Sequence, residues 1–224
     1  MDWKNLLTGP HLLEAAGAAW AVVWLKYKEE IISFFVDSGK RLLAWLFRSE
    51  GARRLPDAEL RQILASGLSG IESLLLVLAK EYAADRVTVT TYRKNESSYL
   101  ATLLVEVREA EMQSVRAAWQ DSPVASELWD EIERIHNLPG RWTYVPDARL
   151  VDIAALRVAL TESGVRSAYY QTLADSKGKA RATLAISWHH DHPLSHEQTT
   201  AIHSSGIACA TVLLLMDKMQ PPTT

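Results

Sequence analysis

Arg86–Tyr92 reads RVTVTTY and Tyr99–Val107 reads YLATLLVEV, with Lys94-Asn95-Glu96-Ser97 between them. Apolar and polar residues alternate in both runs, and a strand sends alternate side chains to opposite faces. The polar tetrapeptide predicts a turn, so the two runs read as a β-hairpin. Before the hairpin, Leu60, Ile63, Leu64, Leu68, Ile71, Leu75 and Leu78 recur at three- and four-residue spacing, which predicts a helix over 57–83. After it, residues 109–119 and 124–136 read as short helices split around Asp121-Ser122-Pro123. A short strand follows at 141–145, then a helix at 149–160 ended by Gly164. Strands are expected at 165–172 and 180–188, around the turn Asp175-Ser176-Lys177-Gly178. The last helix starts at Ser195, which forms a capping box with Gln198, and Pro221-Pro222 end it. This order implies an α+β fold: an antiparallel sheet flanked by helices, with the terminal helices packed together on one face.

The first 48 residues are of another character. Leu12–Leu25 reads LLEAAGAAWAVVWL, IISFFV follows at 31–36, and LLAWLF at 42–47. The clean apolar run Ala15–Leu25 makes about 16 Å of helix, short of a hydrocarbon core of ~30 Å. Trp20 and Trp24 beside Lys26 and Lys28 have the pattern of an interfacial anchor, and Phe34, Phe35, Trp45 and Phe47 supply the apolar side of a second, amphipathic segment. Three arrangements fit one or two such helices: a short or tilted span followed by a surface helix, a helical hairpin in the interface, or a pair buried in a homo-oligomer or against a partner protein. Glu14 weighs towards the last, because a carboxylate in lipid is costly. No cleavage pattern of a signal peptide follows the run. The expected organisation is an apolar leader at 1–48, a linker at 49–56, a domain at 57–218 and a tail at 219–224.

Composition narrows the function. The net charge of −3 argues against nucleic acid. Residues 1–54 carry eight Lys/Arg and six Asp/Glu, a slight cationic bias suited to an anionic lipid surface. The single Cys209 excludes an intramolecular disulfide and a cysteine-based zinc site.

Four stretches resemble the GAF domain family over about residues 58–217. They are Leu78-Ala79-Lys80-Glu81-Tyr82 leading into Ala84-Asp85-Arg86-Val87, Tyr144-Val145-Pro146-Asp147-Ala148-Arg149, Gly164-Val165-Arg166-Ser167, and Leu184-Ala185-Ile186-Ser187-Trp188 with the loop to Leu194-Ser195. The resemblance implies a regulatory domain in which the helical middle segment, here 109–140, covers a ligand pocket. The NKFDE pattern of cyclic-nucleotide-binding members is absent, and Cys209 does not match a bilin-attachment cysteine.

No nucleophile elbow, HExxH helix or glycine-rich phosphate loop is present, so the chain reads as non-enzymatic, with no cofactor. His189-His190-Asp191-His192 with His196 is the one constellation with metal-ligand chemistry, and its compactness reads as a solvated loop rather than a metal site. Candidate ligand-binding residues are Arg166, Tyr169, Tyr170, Trp129 and Trp142, with Trp119 and Trp129 as lid candidates. Alternation puts Val165, Ser167, Tyr169 and Gln171 on one face, and Arg166, Ala168, Tyr170 and Thr172 on the other. The resemblance puts the loop carrying Asp147 near Arg166, so Arg166 is expected to pair with Asp147, the alternatives being an anionic ligand held by Arg166 or an exposed side chain. The leading reading is a GAF-like regulatory or interaction module with a possible small-molecule ligand, homodimeric or in a larger homo-oligomer, tethered to a membrane or a partner protein by 1–48, with the domain cytoplasmic. The alternative is a structural or membrane-acting pore or assembly protein whose degenerate domain binds no small molecule.

Overall fold

The computed structural model describes residues 57–219, apart from Ser97 and Ser176. The leader, with Trp20, Trp24, Phe34, Phe35, Trp45 and Phe47, and the linker lie outside the described residues. Helix α1 (Asp57–Glu81) leads into β1 (Arg86–Asn95) and β2 (Ser98–Arg108). A 3-10 turn (Arg116–Trp119), β3 (Ser122–Val124) and α2 (Ser126–His136) follow. Then come β4 (Trp142–Val145), a second 3-10 turn (Ala148–Leu150), α3 (Ala154–Glu162), β5 (Ser167–Ala174), β6 (Ala180–Trp188) and α4 (His196–Met219). The six strands form one antiparallel sheet in the order β3-β2-β1-β6-β5-β4. The fold is therefore α+β, as expected.

The alternation in β1 sorts the two faces. Val87 and Val89 are fully buried and pack with Leu184, Ile186, Ile71, Leu75 and Leu78 beneath α1 and α4. Burying one such Leu fully is worth roughly 1.5–3 kcal/mol. Trp188, also fully buried, donates its indole N–H to the Tyr82 carbonyl at the end of α1 (2.9 Å). The capping box forms: the Ser195 N–H donates to Gln198 Oε1 (2.8 Å), and the Gln198 N–H to Ser195 Oγ (3.1 Å).

A bulge interrupts the hairpin. Val89 pairs with Val105 but Thr90 with Leu103, so Leu104 is the extra residue. The bulge puts the consecutive residues Leu104 and Val105 both against the helix-side core, and so turns Leu103 to the other face, beside Thr90.

Three sequence expectations are corrected. Residues 109–119 are not a helix: only 116–119 form a 3-10 turn, because Ser114 Oγ and the Val115 N–H both donate to the inward-pointing Glu106 and hold the segment across β2. The break at 121–123 contains β3, which pairs with Tyr99–Ala101; Pro123 is tolerated because this is an edge strand. The helix expected at 149–160 is a 3-10 turn plus α3. Asp147 caps the turn by accepting the Arg149 N–H (3.0 Å), and Gly164, at φ +70°, turns the chain after α3.

Candidate functional site

The sheet face opposite α1 and α4 is paved with hydroxyls. Thr90, Thr183 and Thr172 stand in register across β1, β6 and β5, and beside them run Thr88, Ala185, Tyr170 and Thr143. Above this floor α2 and α3 leave a cavity of about 600 Å³, within the range of small-molecule pockets. Leu128, Ile132 and Ile135 of α2, Leu156 and Leu160 of α3, and Val115 and Trp119 of the connecting segment supply apolar walls. His136 pins α2 to the floor: its Nδ1 lies 3.2 Å from Thr172 Oγ1, and its Nε2–H donates to the Gly178 carbonyl (2.8 Å).

Burial shapes the acidities of the floor. The Tyr92 phenol donates to Thr183 Oγ1 (3.0 Å), and burial pushes its pKa up to about 12. Burial also raises Tyr170, with Tyr92 nearby adding to the effect. Burial lowers the pKa of Arg86, opposed by Glu106, whose carboxylate lies 3.3 Å from the guanidinium. At the rim, the Arg149 guanidinium and N–H hold Asp147 at about 2. None of these groups forms a nucleophile–base pair.

Of the five candidate ligand-binding residues, Tyr170 lines the cavity. Tyr169 points to the other face, fully buried in the helix-side core, where its hydroxyl donates to Gln171 Oε1 (3.2 Å). Trp142 stacks on Tyr169 (ring centroids 5.7 Å apart) and belongs with that core. Trp129 stacks on Tyr99 (3.5 Å) and meets Tyr92 edge-on (5.5 Å), outside the cavity lining, so of the two lid candidates only Trp119 is in place. Arg166 precedes β5 and pairs with Asp191 (3.3 Å), not with Asp147. Asp147 is taken by Arg149, two residues on in the same turn (2.7 Å).

The residues that sequence reading missed are Arg86, Thr88, Thr90, Thr172 and Thr183. Their signal was present in the threonines alternating with valines in RVTVTTY. The histidine loop ties β6 back to the start of β1. The His189 N–H donates to Asp85 (2.6 Å), His192 stacks on Trp188 (4.5 Å), and the Ser167 hydroxyl donates to the His190 carbonyl (3.0 Å). Burial, reinforced by His190, lowers the pKa of His192. Cys209 lies in the helix-side core, and burial pushes its thiol up to about 12.

No protein-family model matches the chain, and no curated protein matches it. Solved structures do resemble it. The blue-light absorbing form of the Thermosynechococcus elongatus PixJ GAF domain superposes with a TM-score of 0.53 at 14% identity, covering 70% of this chain and 88% of that one. The phycocyanobilin-bound GAF domain of a cyanobacterial phytochrome gives 0.52 at 15% identity, covering 72% and 95%. A GAF domain region from Geobacter sulfurreducens PCA gives 0.53 at 14% identity, covering 70% and 99%. The six-stranded antiparallel sheet with its flanking helices is the fold of a GAF domain.

Proposed function

We propose that residues 57–219 form a non-catalytic regulatory module that responds to a small molecule held between the sheet and α2/α3, and that residues 1–48 tether it to a membrane or to an assembly. The cavity carries this reading. A domain serving only as a scaffold gains nothing from about 600 Å³ of unfilled space over a hydroxyl-lined floor. That a structure of the same fold is phycocyanobilin-bound supports a small-molecule role for this fold.

The floor of the cavity runs directly into the end of α1. Arg86 and Thr88 of the floor follow α1 after the joint Ala83–Asp85, where Ala83 sits at φ +45°. Asp85 is fixed on both sides: its N–H donates to the Ser187 carbonyl (3.1 Å), and its carbonyl accepts the Glu109 N–H (3.0 Å). A ligand that displaces the floor therefore acts on the C-terminal end of α1, whose other end leads to the leader. Leu76 on α1 and Ile207 on α4 are each 45% exposed and suit a seam with a second copy of the chain. Among the described residues no helix is long and apolar enough to cross a membrane.

A thermal-shift screen of small metabolites tests the reading. Compounds that bind the cavity raise the melting temperature of the wild type by mass action, do not raise that of Ala185→Phe, and are not turned over. Hits that stabilise Ala185→Phe equally place binding elsewhere and contradict it.

A further inference from the structure

We propose that the cavity selects an uncharged, ring-sized molecule and disfavours anions; this deepens, and rests on, its reading as a ligand site. Among the described residues the cavity wall carries two cations, Arg86 and Arg134, and both are neutralised. Arg86 is 8% exposed, faces Glu106 at 3.3 Å and donates from Nη2 to the Gln113 carbonyl (2.9 Å). Its Nε makes no hydrogen bond but is enclosed from the cavity, 3.3 Å from the Glu106 carboxylate. Glu106 is committed in turn, accepting from Ser114 Oγ and from the Val115 N–H (3.2 Å). Glu131 grips Arg134 through two bonds of 2.6 Å. At Arg86 an anionic ligand would have to displace Glu106 and leave it charged without its partner, which a buried site strongly resists. At the half-exposed Arg134 it would compete with a bidentate carboxylate. Asp152 on the same wall adds like-charge repulsion, whereas Asp147 is neutralised by Arg149.

What the wall does offer is neutral. The hydroxyls of Thr88, Thr90 and Tyr170 make no hydrogen bond with the described residues. Thr88 and Tyr170 flank Ala185 in register, and the small methyl between them leaves a recess in the floor. A hydroxyl both donates and accepts, so this recess suits the polar edge of an uncharged ligand, while the apolar side chains of α2 and α3 suit a ring face.

Two dyes that share one skeleton and differ by a sulfonate test the charge rule on the full chain. These are neutral N-phenyl-1-naphthylamine and anionic 8-anilino-1-naphthalenesulfonate, titrated by fluorescence. Cavity binding is the component removed by Ala185→Phe from the floor and by Ala159→Trp from the roof; Ala159 is exposed and tolerates the larger side chain. The neutral dye is expected to bind there at least tenfold more tightly than the sulfonate. Glu106→Gln keeps an acceptor for Val115 but uncovers the Arg86 charge. It should tighten sulfonate binding about tenfold and leave the neutral dye within twofold. Equal or tighter sulfonate binding in the wild-type cavity overturns the charge rule while the ligand-site reading stands. If neither folded cavity variant changes either dye's signal, the ligand-site reading fails and the charge rule with it.

Discussion

Gly206 lies in α4 directly over Gln171 of β5, and replacing it with alanine sets two effects of opposite sign against each other. In an unconstrained helix Gly→Ala stabilises by about 1 kcal/mol. Here a Cβ would stand 2.2 Å from Gln171 Oε1, 2.4 Å from its Cδ and 2.6 Å from its Nε2. Contacts of this kind relax at about 3.5–4 Å, so Gln171 must retreat by roughly 1 Å or more. It has nowhere to go. Gln171 is 2% exposed, accepts from the Tyr169 hydroxyl (3.2 Å), and donates from Nε2 to the His203 carbonyl (3.2 Å). Losing those two bonds costs about 1 kcal/mol each, and overpacking adds about 1–3 kcal/mol. The net expectation is destabilisation by about 2–4 kcal/mol, a fall of roughly 4–16 °C in melting temperature. Urea unfolding followed by tryptophan fluorescence on the fragment beginning at Asp57 measures it. In a Gln171→Ala background the same change should become neutral or stabilising, a coupling of about 2 kcal/mol or more. A Gly206→Ala variant more stable than wild type would refute the packing of α4 on β5 described here.

Trp188→Phe should cost about 2–3 kcal/mol in the same urea assay, because it removes the hydrogen bond to the buried Tyr82 carbonyl and leaves a void. Asp147 has its pKa depressed to about 2 by Arg149, so its contribution to stability is present above about pH 4 and is lost as pH falls through about 2. The melting temperatures of wild type and Asp147→Asn should therefore converge between pH 4 and pH 2; a constant gap would contradict the pairing. The fragment beginning at Asp57 should remain in the supernatant on ultracentrifugation, while the full chain pellets with membranes or runs as a large assembly. A soluble, monodisperse full-length monomer would remove residues 1–48 as the tether.

What the sequence made legible was local. The valine–threonine alternation of β1 and the Ser195–Gln198 capping box depend on neighbours in sequence, and both appear as read. Alternation also put Tyr169 and Tyr170 on opposite faces, but which face is sheathed by α1 and α4 and which opens to a cavity depends on helices far away in the chain. Tyr169 was accordingly assigned to a pocket it does not touch. The register shift at Leu104 is set by the pairing of β1 with β2, and only the adjacent Leu103-Leu104 hinted at it. The contact of Arg86 with Glu106 joins neighbouring strands, and nothing around Arg86 in sequence announces it. Arg166 was matched with Asp147 because their loops are adjacent; they are, through the Ala148 N–H to the Arg166 carbonyl (2.7 Å), but Arg149 is the closer cation.

Hydrogen exchange of the full chain with and without N-phenyl-1-naphthylamine tests the central claim most directly. The expected result is slowed exchange in β1 at Arg86–Tyr92, in β5 around Tyr170–Thr172 and in the last turns of α1, all three effects being absent in Ala185→Phe. Protection confined to the exposed face of α1 and α4, with the floor strands unchanged, would contradict the claim that the cavity between the sheet and α2/α3 is the site that responds to a ligand.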